Sequence, residues 1–312
     1  MGKYFYLYEN ISKVGPYDGP QYYLAPTWAF YLQAAFMGFV FFVGTPLNFV
    51  VLLATAKYKK LRVPLNYILV NITFAGFIFV TFSVSQVFLA SVRGYYFFGQ
   101  TLCALEAAVG AVAGTVNSTV LSLQASDTWL SVNHLDDVMR GVVLGYRYIP
   151  EGLGCSCGPD WYTNCEEFSC ASYSKFLLVT CFICPITIII FSYSQLLGAL
   201  RAVAAQQAES ASTQKAEKEV SRMIIVMVAS FVTCYGPYAL TAQYYAYSQD
   251  ENKDYRLVTI PAFFSKSSCV YNPLIYAFMN KQFNGCIMEM VFGKKMEEAS
   301  EVSSKTEVST AS

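Results

Sequence analysis

Charged residues are scarce in this chain of 312 residues, of which Asp, Glu, Lys and Arg together make up 13%. That is about half the share that is usual in soluble domains. Acidic and basic residues are equal in number, 21 each, so a net charge of zero gives no support to a nucleic-acid partner. The N-terminal residues lack a charged segment followed by an apolar one, which argues against a cleavable signal peptide.

Histidine is nearly absent, since His134 is the only one in the chain. It lies near Asp136 and Asp137 in the sequence. One histidine beside two carboxylates is weak evidence for a metal or catalytic site, because such sites usually gather three or four ligands. We therefore expect no metal in this protein.

Apolar residues take the place of the missing charge, and 55% of the chain is hydrophobic. Long apolar runs lie near residues 29–56, 65–90, 102–123, 174–200, 223–248 and 257–279. Each can form a helix that crosses a bilayer, which takes roughly 20 apolar residues, whereas barrel strands would be shorter and alternating. We predict an all-α, polytopic membrane helix bundle over residues 29–292, with tails at 1–28 and 293–312.

Basic residues indicate how the bundle is oriented. The first span is followed by Lys57, Lys59, Lys60 and Arg62. By the positive-inside rule this loop faces the cytoplasm, so the N-terminal tail is predicted to be extracellular. A glycosylation sequon at Asn10 agrees with that orientation.

The C-terminal residues predict a cytoplasmic surface and a tail. Residues 281–292 mix apolar and polar side chains, which favours a short helix on the inner membrane face. The tail that follows is rich in serine, threonine and acidic residues, a composition typical of disorder. Phosphorylation there would add negative charge, and the predicted sites are Ser303, Ser304, Thr306, Ser309 and Thr310.

Two ionisable residues of opposite sign lie inside the apolar spans, Glu106 and Lys266. A lysine in mid-span costs about 2.5–3.5 kcal/mol to insert, so an intramembrane charge usually has a function and a partner. A desolvated lysine loses its proton readily and can attack an aldehyde to form a Schiff base, with a carboxylate as counterion. The alternative is a structural salt bridge between two helices, although desolvation makes such pairs weak contributors to stability.

Proline and cysteine mark two further features. Asn272-Pro273-Leu-Ile-Tyr276 places a proline inside the last span, where it kinks the helix and frees a backbone carbonyl that polar neighbours can satisfy. Cys103 lies at the outer end of the third span, and Cys157 lies in a polar segment predicted to be extracellular, where disulfides persist. Spacing alone leaves other partners for Cys103 open, namely Cys155, Cys165 and Cys170.

Five motifs together resemble the visual opsins. They are Phe-Phe-Ser-Lys266-Ser-Ser, Asn272-Pro-Leu-Ile-Tyr276, Gly-Gln-Thr-Leu-Cys103-Ala-Leu-Glu106, Tyr-Ile-Pro-Glu151-Gly-Leu-Gly-Cys-Ser-Cys157 and Gln-Lys-Ala-Glu217-Lys-Glu-Val-Ser-Arg-Met. The resemblance covers residues 1–114 and 147–312, and it is strongest to the violet or ultraviolet cone opsins of birds. Gly76 stands where rod pigments carry aspartate, and Tyr235 stands where they carry tryptophan. The resemblance implies a rhodopsin-like seven-helix receptor and not an enzyme.

The resemblance also assigns roles to individual residues. Lys266 would bind 11-cis-retinal, or its 3,4-didehydro form, as a Schiff base with Glu106 as counterion. Glu151 would lie in a plug over the pocket, and Cys103–Cys157 would be the structural disulfide. Phe79 and Ser83 match positions that tune absorption, and we favour ultraviolet over violet. The remaining implied residues are Phe231, Tyr235, Tyr238, Ala239 and Ala262 in the pocket and Asn272, Pro273, Tyr276 and Glu217 in the switch.

The implied function is light sensing. Photoisomerisation of retinal would shift the receptor towards its active state and activate a G protein of the transducin type. A receptor kinase and arrestin would act on the tail, and the chain would lie among membrane lipids in the plasma membrane of the cone outer segment. Two alternatives stay open: a receptor for a diffusible ligand, and a retinal photoisomerase or light-driven pump. A pump would want a chain of titratable groups across the membrane.

Residues 115–146 depart from the opsin pattern. The family has here the inner half of its third helix, a Glu-Arg-Tyr motif and a fourth helix, but this segment has neither that motif nor an apolar run of about 20 residues. With six spans the chain cannot bring Cys157 to Cys103 and keep its basic loops inside. We expect the fourth helix and the inner third helix to be missing or replaced. We favour a mis-spliced or wrongly predicted product over a deliberate replacement or a poorly apolar crossing.

Overall fold

The computed structural model describes residues 14–62, 64–125, 148–162, 175, 178–188, 190–191, 211–248 and 253–293. Its first helix is α1 (Thr27–Lys57). The second consists of α2 (Pro64–Phe79), a π-helical turn (Val80–Val84) and α3 (Ser85–Arg93). The third is α4 (Gly99–Ala125). Three helical stretches in the described part are long and apolar enough to cross a membrane: Thr27–Lys57, Leu69–Arg93 and Ile225–Tyr247.

Among the described residues, a short hairpin and further helices follow α4. Strands β1 (Tyr148–Glu151) and β2 (Ser156–Pro159) pair antiparallel, with Glu151 opposite Ser156. A π-helical turn (Val179–Ile183) leads into α-helical residues 184–188. The last helices are α5 (Ala211–Tyr247), α6 (Thr259–Lys266), α7 (Ser268–Met279) and α8 (Lys281–Phe292). The fold is the helical bundle that the apolar runs predicted.

Large apolar side chains cover the outer face of α1. Phe39 and Phe42 are 60% and 66% exposed, and Trp28 is 65% exposed. Contiguous exposed apolar surface of this kind is rare in soluble monomers. The face therefore suits lipid contact, as the sequence predicted for a membrane span.

Buried residues form one cluster at each end of the bundle. The first cluster contains Phe30, Tyr96, Cys103 and Leu153 and surrounds the hairpin, so we call this the hairpin end. The second contains Leu61, Met223, Met227 and Phe283 and packs against α8, so we call this the α8 end. Lys266 lies on the helix pair α6–α7 that joins the two clusters.

Asn48 ties α1 to the proline bend of α7. Proline has no N–H, so Pro273 leaves the carbonyl of Cys269 without its helical partner. Asn48 Nδ2 donates to that carbonyl oxygen at 2.9 Å and also to Gly44 O at 2.8 Å. The bend is thus stabilised by a side chain from another helix, which is how membrane helices tolerate proline.

The third helix covers the apolar run that the sequence shows at residues 102–123. Helix α4 continues to Ala125 and, with 27 residues, is about 40 Å long. Residues 115–125 keep a helical backbone although their sequence departs from the opsin pattern, so within this range the inner third helix is replaced in sequence and not missing. Residues 126–147 lie outside the described residues, so a missing fourth helix stays a prediction.

Candidate functional site

Lys266 is the last residue of α6, at a break between two helices. The N–H of Ser267 is shared between the carbonyls of Phe263 and Phe264, and α7 begins at Ser268. Lys266 is 7% exposed, which makes it the only buried lysine among those whose side chains the structure describes. The break positions a buried amine near the hairpin end of the bundle.

Glu106 of α4 is the partner of Lys266. The Lys266 Nζ donates to Glu106 Oε1 at 2.8 Å, and Glu106 is fully buried. The two residues lie 160 positions apart in the chain, on different helices. The two charges that stood out in the apolar spans are therefore brought into direct contact.

Two further donors hold the Glu106 carboxylate. Ser83 Oγ donates to Oε1 at 2.5 Å, and the backbone N–H of Cys157 donates to Oε2 at 2.9 Å. Hydrogen bonds to an ionised acceptor are short and roughly twice as strong as neutral ones. Ser83 thus contacts the carboxylate directly, and the second strand of the hairpin helps to fix its position.

A cavity of about 160 Å³ lies against this ion pair. Its predicted lining residues are Phe79, Glu151, Phe231, Tyr235, Tyr238, Ala239, Ala262 and Lys266. The Lys266 Nζ also lies 5.8 Å from the centre of the Phe79 ring, a distance at which a cation and an aromatic face attract each other. The structure therefore brings together the Lys266 amine, its partner Glu106 and a mostly apolar cavity that a second acid, Glu151, also lines.

Some lining residues were not predicted. Ala107, Gly110, Ala111 and Gly114 form one face of α4 along the cavity. Their spacing of three and four residues places them on one side of a helix, and their small size leaves room beside it. The spacing of these small residues could have been read from the sequence. Trp161 also lines the cavity, but no sequence pattern indicates that position.

Glu151 closes the cavity from the hairpin. Its Oε2 atom accepts hydrogen bonds from Tyr238 OH at 3.0 Å and Tyr162 OH at 3.3 Å. Gly158 lies so close to the carboxylate that any side chain there would collide with it. Burial raises the pKa of Glu151 from an ordinary value of 4.5 to about 7, against the attraction of Lys266.

We expect the stability of the protein to fall as the pH rises from about 4.5 to 7 because of Glu151. Below pH 4.5 the Glu151 carboxyl is protonated in the folded and in the unfolded protein. Between pH 4.5 and 7 the folded protein keeps this proton, whereas the unfolded chain has lost it, so folding becomes less favourable. The full effect is about 3 kcal/mol. Thermal unfolding across this range should show the slope, and Glu151→Gln should flatten it. Glu289→Gln on α8 is the control and should keep the slope; an unchanged slope in Glu151→Gln would contradict the assignment.

The disulfide joins Cys103 to Cys157 and anchors the hairpin to α4. Of the partners that spacing left open, Cys155 is a free, buried thiol. Cys165 and Cys170 lie outside the described residues. The bridge predicted from the resemblance is therefore confirmed.

Removing this bridge should destabilise the protein by about 2–5 kcal/mol, as is typical for native disulfides. The double variant Cys103→Ser, Cys157→Ser should lower the midpoint of thermal unfolding. The hairpin is then no longer fixed to α4, which also weakens the hydrogen bond from the Cys157 N–H to Glu106. Cys155→Ser is the matched control and should change the midpoint little. Equal losses in both variants would show that thiol packing, and not the bridge, stabilises this region.

Several predicted residues are only partly described or not described. Glu217 and Tyr276 lie in α5 and α7, but the structure describes only their backbone. Asn10 and the predicted phosphorylation sites of the tail lie outside the described residues. Their roles stay predictions.

The chain matches the profile of the 7 transmembrane receptor (rhodopsin family) over residues 47–140 and 142–276. The match runs through most of the segment 115–146 and breaks only at residue 141.

Known proteins give the same family. The chain is 86% identical to a violet-sensitive opsin of Oryzias latipes, with full coverage of both chains. It is 64% identical to the ultraviolet-sensitive opsin of Carassius auratus, again with full coverage, and 57% identical to short-wave-sensitive opsin 1 of Mus musculus over 99% of this chain and 96% of that one. The resemblance is thus not specific to birds. The alignment with the Oryzias protein spans 334 positions, more than the 312 residues of this chain, so this chain is shorter in at least one place.

A solved structure gives the same fold. Squid rhodopsin matches with a TM-score of 0.72 and 20% identity, over 94% of this chain and 92% of that one. At that identity the match supports the fold alone.

Proposed function

The chain belongs to the rhodopsin family of seven-transmembrane receptors, and from that premise we propose that it is a short-wavelength visual pigment that signals through a G protein. The observation that carries the proposal is the contact between Lys266 Nζ and Glu106 Oε1 at 2.8 Å beside an apolar cavity. An ion pair inside a membrane bundle is costly to bury, so it points to a chemical role. Like its opsin relatives, the protein is a receptor and not an enzyme.

The similarity to opsins implies that the chromophore is retinal, and the residues of the site fit this ligand. The cavity is lined mainly by apolar and aromatic side chains and has a single amine at one side. We propose that Lys266 Nζ holds the aldehyde carbon of 11-cis-retinal, or of its 3,4-didehydro form. When bound, retinal supplies light absorption and a change of shape.

The protein's own residues control the proton on the Lys266 nitrogen. The carboxylate in contact with it is that of Glu106, and the hydrogen bonds from Ser83 and Cys157 hold that carboxylate in place. Glu151, held by Tyr238 and Tyr162, closes the cavity and helps to keep out water. Ser83 and Phe79 are the residues that we propose tune absorption, because one contacts the acid and the other faces the amine.

Signalling would leave the bundle at the α8 end. We propose that the N-terminal tail is extracellular, that α5 presents Glu217 and its neighbours to a transducin-type G protein, and that Asn272, Pro273 and Tyr276 form the switch. Receptor kinase and arrestin would act on the serines and threonines of the tail. The proposed location is the plasma membrane of the cone outer segment.

The direct test is light-dependent nucleotide exchange. Membranes that contain the full chain are incubated with 11-cis-retinal, and exchange on a transducin-type G protein is measured in the dark and after illumination. We expect exchange to rise only after light. If pigment forms and a rod pigment drives exchange in the same assay but this chain does not, then the proposed coupling is wrong. A receptor for a diffusible ligand would form no pigment at all.

A second expectation concerns Phe79. Phe79→Tyr should move the dark absorption from the ultraviolet into the visible. The ring centre lies 5.8 Å from Lys266 Nζ, so the new hydroxyl adds a polar group beside the amine and should stabilise a protonated nitrogen, which absorbs at longer wavelength. Absorption spectra of the regenerated pigments measure this. Phe82→Tyr, on the same helix but outside the cavity lining, should leave the spectrum unchanged; an unshifted Phe79→Tyr spectrum would contradict the tuning role.

A further inference from the structure

The turn of the hairpin packs directly against the first residue of α6. Gly152 has a φ angle of +58°, and the turn closes with Gly154 N–H donating to Glu151 O at 2.9 Å. A Cβ atom at Gly152 would collide with Thr259 Oγ1 and would lie 3.1 Å from the Thr259 Cα. Glycine is therefore the residue that allows the backbone of the turn to approach α6 this closely.

Thr259 also makes a hydrogen bond to this turn. The backbone N–H of Leu153 donates to Thr259 Oγ1 at 3.1 Å. Leu153 and Thr259 are 6% and 9% exposed, so water does not reach this contact freely. Leu153 lies between the two strands, outside their register of paired residues, and its N–H therefore needs an acceptor from elsewhere. The side chain of α6 supplies that acceptor.

The contact at Thr259 gives the hairpin a second attachment. The first is to α4, through the disulfide from Cys103 to Cys157 and the hydrogen bond from Cys157 N–H to Glu106. The second is to α6, the helix that ends at Lys266. The hairpin thus bridges the helix that carries the acid and the helix that carries the amine.

Thr259 can act on the amine only through the hairpin. Thr259 and Lys266 lie on the same face of α6, seven residues apart, which is two turns or about 10 Å along the axis. Ala262, Ser265 and Lys266 line the large cavity, but Thr259 does not. Without the Thr259 hydroxyl, the buried N–H of Leu153 would lack an acceptor, and the turn would gain free energy by moving away from α6 towards water.

We infer that Thr259 is a positioning residue: its hydroxyl holds the turn of the hairpin against α6 and so shields the Lys266 nitrogen from water and small nucleophiles. The shielding rests on the proposed function, because the nitrogen that needs shielding is the one that would carry retinal. The attachment itself exists in the ligand-free chain and can be measured there.

The first test is amide hydrogen exchange on the full, ligand-free chain. Thr259→Val keeps the shape of the side chain but removes the hydroxyl, and we expect exchange at Leu153 to become about tenfold faster, as the loss of one buried hydrogen bond implies. Exchange in residues 34–44 of α1 should not change, whereas a general loss of stability would raise it too. Thr259→Ser keeps the hydroxyl and should exchange like the wild type.

A matched control for this substitution is Thr241→Val. Thr241 lies on α5, and its hydroxyl donates to Pro237 O in the same helix, so its loss should leave exchange at Leu153 unchanged. Equal exchange in Thr259→Val and the wild type would overturn the inference. If Thr259→Val does not fold, the wild type decides: exchange at Leu153 as fast as in an unstructured peptide would show that the hydrogen bond does not form.

The second test measures access to the Lys266 nitrogen. Pigment is kept in the dark with hydroxylamine, which takes the retinal carbon as an oxime and releases the free Lys266 amine. The retinal that remains is fixed by borohydride and counted by peptide mapping at Lys266. We expect loss to be about tenfold faster in Thr259→Val than in the wild type, with Thr259→Ser and Thr241→Val close to the wild type.

The outcomes separate the two proposals. If the wild type forms no pigment, the proposed function is wrong and the shielding role is wrong with it. If pigment forms and hydroxylamine acts equally fast on Thr259→Val and the wild type, the shielding role alone is wrong. Faster loss together with unchanged exchange in α1 would show that Thr259 controls access and does not merely stabilise the fold.

Discussion

Replacing Lys266 with methionine should abolish pigment formation. Wild-type chain incubated with 11-cis-retinal and treated with borohydride in the light should carry a retinyl label on Lys266, and Lys266→Met should carry none. Only a primary amine can condense with the aldehyde, and methionine fills a similar apolar volume without one. Peptide mapping and absorption spectra measure the loss, which we expect to be complete.

Lys253→Met provides the matched control. Lys253 is partly buried and donates to Tyr245 O at 3.0 Å, outside the lining of the large cavity. It should form pigment as well as the wild type. Pigment formed by Lys266→Met, or a label on another lysine, would remove the basis for the proposed function.

Replacing Glu106 with glutamine should destabilise the ligand-free protein by about 3–5 kcal/mol, because breaking a buried ion pair leaves an uncompensated charge. The Lys266 side chain is 9% exposed and that of Glu106 is fully buried, so water screens this pair little. Thermal unfolding of the purified chain measures the loss. Glu106→Gln combined with Lys266→Met should be less destabilised than the sum of the two single changes, since neither charge then remains.

The chain offers an exposed ion pair as a control for Glu106→Gln. Arg256 contacts Asp254 at 2.7 Å, but their side chains are 50% and 36% exposed. Asp254→Asn should therefore cost no more than about 1 kcal/mol. If Glu106→Gln costs no more than Asp254→Asn, the pair between Lys266 and Glu106 is not the buried ion pair that the structure indicates.

Glu106 and Lys266 could be predicted as site residues because charged side chains are rare in membrane spans. In a span of apolar residues an acid or a lysine is costly, so Glu106 and Lys266 stood out without any structure. The same logic could not find Ser83 or Gly110, because serine and glycine are ordinary residues in membrane helices. Their contacts depend on which face of one helix meets which face of another.

The disulfide shows a similar limit. Spacing left several partners for Cys103 open, since chain separation says little about distance in a folded hairpin. The strand register places Cys157 on β2, where it pairs with Pro150, while Cys155 falls just before the strand and stays a free thiol. The resemblance named the correct pair, but the geometry of the hairpin is what selects it.

The sequence by itself determined the class of the protein: its apolar runs predict a helical membrane bundle, and the two charges inside those runs predict an ion pair. Only the tertiary structure decided that Glu106 also accepts from Ser83 and Cys157, and that Glu151 is buried enough to hold a proton near neutral pH. The reason is physical. The hydrophobic pattern of a helix depends only on the residues of that one segment, so it can be read from the sequence. Hydrogen-bond geometry and desolvation depend on how several helices pack around the same point.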